Sequence, residues 1–432
     1  MPGGTRYRYM LVEHACAFIL DEVERTLKTF RYVVERRRPP VPRPVLTALC
    51  LGVLRNYRLL SRALRACGYR GPIRGSARGW LSLVGAYEAM FRRSRFTPEE
   101  VSQRTDLDPE IARCLSETRP EDVVSGLKGL ERLSILYSLP TWVVKELARL
   151  NVPGGLEELL RALQEPTPLW IRFNPRLLSV DEAVKELSEL GVVAVPDPLL
   201  PDLLEVRRMA PDAPAKMDAR KFYMQDRATA LAAHILRSHA DISSLGDFFS
   251  APGNKSAHLH WLAGPYFGAA VEISQQRLRD ELHLHRKQDV HTLDYVLGDS
   301  RFPPLRAAAL SSAIVDPDCT SIGRVGHSPE TRLFLERAGR IIVRRFSKLQ
   351  AASLRAVLER VKRGAVVVYS TCTLTLQENE EVVKSIIDEG LAEPLEPLEP
   401  LVGVPGGVPG SQRLYPHLSR STGGFVAALR RA

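Results

Sequence analysis

Two cysteines carry the chemistry this sequence can do. Cys319 ends the run Ala-Ile-Val-Asp316-Pro317-Asp318-Cys319, and Cys372 ends Val366-Val-Val-Tyr369-Ser-Thr371-Cys372. Both runs read as buried strands, and a thiol at a strand's C-terminal end sits where open α/β sheets place their reactions. A thiolate is a strong nucleophile even when only partly ionised. Either residue alone reads equally well as an ordinary buried cysteine. The pair, downstream of a nucleotide-type loop, points to covalent catalysis.

That loop is Asp247–Lys255. It follows the strand Ser244-Leu-Gly-Asp247-Phe-Phe and opens a helix. Gly253 permits close backbone approach, and a helix N-terminus presents free N–H groups. Glu272 ends the next strand, where a carboxylate accepts both hydroxyls of a ribose. Asp299 ends the third, placed to accept from an adenine amino group. Three acids ending three successive strands fit an adenosine cofactor; strand-end capping is the plainer alternative. The sequence Gly-x-x-x-x-Gly-Lys-Ser/Thr of a phosphate loop is absent.

Elements must hold these groups in place. From Phe222 the pattern alternates: helix Gln225–Leu236, strand 244–249, helix Ala257–Leu262, strand 267–272, helix Gln275–His285, strand 294–299. Strand 313–316, a long helical region Thr331–Val361, strand 365–370 and a helix from Glu378 follow. Such alternation predicts a mostly parallel sheet covered on both faces. Residues 394–410 are Pro- and Gly-rich and read as a loop, and Thr422–Leu429 as a final antiparallel strand. Upstream, Leu169–Asn174 alternates like a strand, Ser179–Leu190 is a helix with a capping box, and 191–195 is a second strand. Helical spacing of Val12, Cys16, Ile19, Val23 and Leu27, and again of Val45, Leu49, Val53 and Leu60, makes the N-terminal part all-helical, broken by Pro39–Pro44. Three domains result: residues 1–160 helical, 166–218 a small α/β module, and 219–432 the sheet carrying the cysteines.

The bulk numbers narrow the class. The chain has 432 residues, 44% hydrophobic and 25% charged, a globular composition. No apolar run reaches the roughly 20 residues a membrane span needs, and Met1 to Met10 lack the order of a signal peptide. Six cysteines without a Cys-x-x-Cys pair argue against a disulfide framework or a structural zinc, and for a reducing, cytoplasmic compartment. The ten histidines show no metal-ligand spacing and read as surface or core residues, so no metal is expected. Net charge is +10. Residues 1–100 hold 19 Lys or Arg against 8 Asp or Glu, which leaves the rest near neutrality. Basic charge gathered in one segment suits a phosphate backbone, though a solvated basic surface gives the same count.

The motifs then fall in a recognisable order: Gln225-Asp226-Arg-Ala-Thr229, Asp247-Phe-Phe-Ser-Ala251-Pro252-Gly253-Asn254-Lys255-Ser256, Gly298-Asp299, Asp316-Pro-Asp-Cys319-Thr, Tyr369-Ser-Thr-Cys372-Thr with Glu378-Asn379-Glu380, and Gly423-Gly424-Phe425-Val426. In these, residues 166–432 resemble the Sun/Fmu family of RNA cytosine-C5 methyltransferases. The helical part resembles the NusB-like RNA-binding module of some members. The resemblance implies a Rossmann-like, S-adenosylmethionine-dependent methyltransferase sheet with an N-terminal helical domain and a small α/β module. It implies that Phe249, Ser250, Ala251, Pro252, Gly253, Asn254, Lys255, Glu272, Asp299 and Asp316 bind S-adenosyl-L-methionine. It makes Cys372 the nucleophile, Cys319 the residue assisting product release, and Asp316 a base or adduct stabiliser. The implied partner is ribosomal RNA, then transfer RNA, met by a monomer in the cytoplasm without membrane or metal. Departures are Phe249 and Asn254 in the cofactor loop, Pro317-Asp318 before Cys319, and Gly423 in place of an acid. Asp318 is expected to raise the pKa of Cys319. A non-catalytic RNA-binding assembly factor with a decayed site is the alternative; methylation of DNA or protein is a more distant one.

Overall fold

The computed structural model describes residues 10–432; the expectations for residues 1–9 fall outside them. These residues gather into two compact units. One holds the described residues up to Glu165 together with Arg324–Arg340; the other holds Pro166–Gly323 and Ile341–Ala432.

The first unit is helical. Cys16, Ile19, Leu20 and Val23 from the helix Val12–Thr26 are buried in one core with Leu49, Val53 and Leu60 from the helix Arg43–Ala66. Pro44 sits in that second helix's first turn, where its missing N–H leaves no bond unmade. Trp80 fills the middle of the core and donates from Nε1 to Glu24 at 2.8 Å. The helix Thr331–Ala338 belongs here too: Leu333 joins the same core, and Glu336 accepts from Tyr57 (2.5 Å), Arg74 (2.7 Å) and Arg58 (3.1 Å). The sequence reads 331–361 as one helical region. Gly339, at φ 66°, instead ends the first helix, a second runs Ile341–Leu358, and Val361 already begins a strand. A disulfide joins Cys67 to Cys114, 47 residues apart, against the expectation of reduced cysteines.

The second unit carries two sheets. The smaller has β1 (Leu169–Phe173), β2 (Val192–Pro196), β3 (Leu203–Met209) and β4 (Phe222–Met224) in the order β2-β3-β1-β4, all antiparallel. The helix Val180–Glu189 packs Ala183 and Leu187 against it. This sheet takes in β4 and so runs past residue 218, where the sequence ended the module.

The larger sheet has nine strands: β5 (Ser244–Phe248), β6 (Phe267–Glu272), β7 (Leu293–Leu297), β8 (Leu310–Val315), β9 (Val361–Thr371), β10 (Ala392–Pro394), β11 (Val404–Pro405), β12 (Ser411–Leu414) and β13 (Gly424–Arg431). Its order is β11-β12-β13-β9-β8-β5-β6-β7, with β10 on β13. Strands β7, β6, β5, β8 and β9 are parallel, and β13 joins β9 antiparallel, as the alternation predicts. The chain leaves β5 toward β6 on one side and β8 toward β9 on the other. The β5/β8 seam is therefore the switch point where a crevice opens at the strands' carboxyl ends. The chain is an α/β protein with a Rossmann-like sheet and a helical N-terminal region.

Candidate active site

Register alone aligns the functional groups. Phe248 pairs with Val315 and Val315 with Tyr369, so the residues just beyond these three strands share one edge. Asp316 lies one residue past β8. Its carboxylate accepts from Ser370 Oγ at 3.0 Å and forms an ion pair with Lys255. Cys372 lies one residue past β9 and is half-buried; Cys319 is buried. Their sulfurs stand 2.9 Å apart, and Ser321 Oγ is 3.3 Å from the Cys372 sulfur. A thiolate at Cys372 thus has two hydrogen-bond donors beside it.

The interaction with the Cys372 sulfur, reinforced by burial, pushes the Cys319 thiol well above the ordinary thiol range. The carboxylate that adds to this is Glu378, not Asp318, which is 57% exposed and turned toward Arg277. Cys319 is accordingly protonated at neutral pH.

The segment Glu378-Asn379-Glu380 holds the two cysteine loops together. Glu378 is fully buried and accepts four bonds: from Thr320 N (2.9 Å), Thr320 Oγ1 (2.6 Å), Thr375 Oγ1 (2.8 Å) and Gln350 Nε2 (3.2 Å). One carboxylate therefore ties the residue after Cys319 to the turn after Cys372. Asn379 accepts from Thr371 Oγ1 at 2.6 Å and donates to the Thr373 carbonyl at 3.1 Å. Glu380 forms a buried ion pair with Arg413 of β12. Gly423 has its own reason. Its N–H donates to the Gly323 carbonyl at 2.9 Å, and a Cβ on Gly423 would lie 2.9 Å from the Gly323 Cα and 3.1 Å from Leu374. Backbones that close leave no room for the acid expected at that turn.

The candidate cofactor loop, residues 249–255, closes the other side of the seam. Phe249 takes a left-handed φ of 58°, and Gly253 a φ of 90°. A Cβ on Gly253 would meet His285 Nε2 at 2.3 Å and Glu281 Cγ at 2.8 Å. Ser250 N–H donates to the Val271 carbonyl, Arg277 to the Ala251 carbonyl at 2.8 Å, and Gly298 N–H to the Glu272 carbonyl at 3.0 Å. Loop, Glu272 and Gly298-Asp299 are thereby contiguous. Both Asp299 oxygens are engaged by Arg301.

Sequence reasoning placed Asp247 only among the strand-end acids and gave no role to Glu281. Asp247, at the end of β5, is buried and pushed up to about 7 by burial. Glu281, on the helix Gln275–Lys287, accepts from Ser250 at 2.6 Å and is pushed up to about 8, first by burial and then by Asp247. Asp247 Oδ2 and Glu281 Oε1 are buried without a hydrogen-bond partner, and Glu272 Oε2 has only the Arg277 guanidinium at 3.6 Å. Unpaired buried carboxylate oxygens are costly unless a ligand satisfies them. Hydroxyls and a cationic methionine moiety do so, and S-adenosylmethionine carries both.

Histidines also meet where none were expected to. His234 and His258, on different helices, each place Nε2 2.7 Å from a separate oxygen of buried Asp202. An ionised carboxylate only accepts, so each imidazole donates to it. Burial holds His258 down at about 4.

Residues 233–430 match the family model "16S rRNA methyltransferase RsmB/F", and residues 139–211 match the ferredoxin-like domain of RsmF/B-like methyltransferases. "Ribosomal RNA small subunit methyltransferase B" of Salmonella dublin is 26% identical over 397 residues, covering 87% of this chain and 90% of that protein. Its namesake in Yersinia enterocolitica is 26% identical over 399 residues, covering 86% and 88%. The crystal structure of PH0851 matches with a TM-score of 0.76 at 21% identity, covering 99% of this chain and 100% of that one. NSun6 from Pyrococcus horikoshii with SFG matches with a TM-score of 0.59 at 21% identity, covering 68% and 98%. A methyltransferase sheet and a ferredoxin-like module are thus both matched by models of RsmB/F-type methyltransferases, the family this chain is similar to, with S-adenosylmethionine as cofactor.

Proposed function

We propose that the protein methylates carbon 5 of cytosine in RNA, ribosomal RNA first and transfer RNA next, in the cytoplasm, through a transient bond between Cys372 and carbon 6. The observation that carries this reading is the pair of sulfurs 2.9 Å apart on the sheet edge that also holds the Asp316 carboxylate, just past β8 and β9. Cytosine C5 is too poor a nucleophile to accept a methyl group unaided. Cys372 adds its sulfur to C6, and the electron pair moves toward C5. Asp316, steadied by Ser370 and Lys255, faces the N3 and N4 edge and stabilises the adduct as charge develops there. S-adenosylmethionine, when bound, supplies an activated methyl group to C5. The C5 proton then leaves to a base, the sulfur–C6 bond breaks, and Cys372 departs as thiolate. Cys319 assists that release. The loop 249–255 with Glu272 and Asp299 holds the cofactor. The target base leaves its stack to reach the crevice, which favours loops and single strands. The basic helical unit grips the RNA.

RNA carrying 5-azacytosine tests the covalent step. A complex stable on a denaturing gel is expected from the wild type and none from Cys372→Ala. An equal complex from both proteins would overturn the assignment of the nucleophile. Calorimetric titration with S-adenosylmethionine tests for a decayed site, which would give no saturable heat.

A further inference from the structure

A second cavity, of about 640 Å³, lies at the opposite rim of the large sheet. Its walls come from the segments that precede β6 and β7, whereas the cysteines and cofactor loop lie beyond the strands' carboxyl ends. The rest of its lining comes from the small module. The volume is that of a site for a molecule of nucleotide size.

Charge in the cavity is not balanced. Both Asp218 oxygens are taken by Arg220, Asp289 accepts from His291 at 2.8 Å, and Lys221 is bound to Glu186. Arg176 remains. It is exposed, its side chain has no hydrogen-bond or ion-pair partner among the described residues, and its guanidinium rests against Gly264. A planar guanidinium presents its donors in the fork that phosphate oxygens match. Polar atoms in the walls are also unsatisfied. Gln288 is 1% exposed; its Oε1 accepts from buried Arg172 at 2.8 Å, yet its Nε2 has no partner. Thr292 Oγ1 and His260 Nδ1 are buried and equally unpaired. A native structure seldom leaves three such atoms around one cavity without something to bond them. Leu177, Trp261 and Pro265 supply an apolar wall.

We infer that this cavity binds a phosphorylated nucleoside, with Arg176 on the phosphate, Gln288, Thr292 and His260 toward the polar edge of the base, and the apolar wall against its face. The ligand is either a nucleotide of bound RNA or a free one; the chemistry is shared. The site uses none of the methyl-transfer groups, so its test does not depend on that reaction.

The test is equilibrium dialysis of the full chain with radiolabelled adenosine 5′-monophosphate, the cofactor site being saturated with S-adenosylhomocysteine. Saturable binding is expected. Removing the phosphate (adenosine as probe) or the cation (Arg176→Ala) is expected to weaken it at least about tenfold, the scale of one charge-assisted contact. Arg176 is exposed, so its removal leaves the fold intact; Thr292→Val, nearly isosteric, is expected to weaken binding a few-fold (roughly 3–10-fold). Displacement of the probe by a single-stranded hexaribonucleotide identifies RNA as the source, and retention identifies a free nucleotide; both support the assignment. No saturable binding up to about 10 mM, binding equal to that of adenosine, or indifference to Arg176→Ala would overturn it.

Discussion

At the scale of single residues, the site depends on groups that never touch the substrate. The proposed reaction needs Cys319 beside Cys372 and Asp316 on the same sheet edge, and neither loop has regular structure to fix it. Glu378 supplies the rigidity. Four donors converge on a carboxylate buried enough that its pKa is raised by desolvation, with the threonine and glutamine bonds opposing that shift. Glu378→Gln keeps shape and volume but turns two acceptor oxygens into one acceptor and one donor, so either the Thr320 N–H and the Gln350 amide face an NH2 group, or the Thr320 and Thr375 hydroxyls must reverse to accept. A misplacement of about 1 Å costs on the order of a hundredfold in rate. Glu378→Gln is therefore expected to lower kcat by roughly 10–100-fold with KM for S-adenosylmethionine unchanged, in steady-state methyl transfer to RNA. The adduct on 5-azacytosine RNA should form slowly yet reach full yield, because Cys372, the proposed nucleophile, is intact. A proportionate rise in the cofactor's KM would show instead that Glu378 acts on the whole sheet edge.

At the scale of elements, the parallel strands are legible because their runs of Val, Ile, Ala and Leu end abruptly in acids or cysteines, the pattern of a strand buried on both faces. The helix break at Gly339 is not legible. Apolar spacing continues on either side of it, from Leu333 and Leu335 to Val343, so periodicity sees one helix. The Cys67–Cys114 disulfide bridges 47 residues, and a pairing that distant leaves no local trace. In the candidate site the motif residues stand out in the sequence, but Glu281 does not. It sits on an ordinary charged helix and matters only because β5 delivers Ser250 to it. The Asp202, His234 and His258 cluster likewise draws on three separate elements. The cofactor loop gives the sharpest test of element-scale reasoning. Gly253→Ala combines a left-handed backbone, costing about 1–3 kcal/mol for a residue with a Cβ, with direct collision on His285 and Glu281. Loss of measurable S-adenosylmethionine binding is expected in calorimetry, with a melting temperature lower by several degrees, roughly 2–8 °C. Native affinity in this variant would show that the loop rearranges freely, against its packing here.

At the scale of the whole molecule, protons link the cofactor site to stability. Asp247 and Glu281 are held near 7 and 8, whereas an unfolded chain gives about 3.9 and 4.3. A group whose pKa is raised by folding adds stability that is complete below its unfolded pKa and is lost as pH rises through the folded one. The cofactor-free protein is therefore expected to weaken between about pH 4 and pH 8 through these two acids. His258 and His285, both pushed down to about 4 by burial, act with the opposite sign. Their contribution is complete above about 6.5 and is lost as pH falls toward 4. A cationic ligand reverses the first effect, because a sulfonium and an ammonium beside Asp247 and Glu281 favour their ionised forms. Binding of S-adenosylmethionine should then expel protons when the acids begin protonated and expel none when they begin ionised. Isothermal titration at about pH 6.5, in two buffers of different ionisation enthalpy, is expected to show net proton release that has vanished by about pH 9. Asp247→Asn should reduce the release at the lower pH and flatten the difference in melting temperature between pH 5 and 8. Equal proton counts at both pH values would mean that Asp247 and Glu281 are ionised before the ligand arrives.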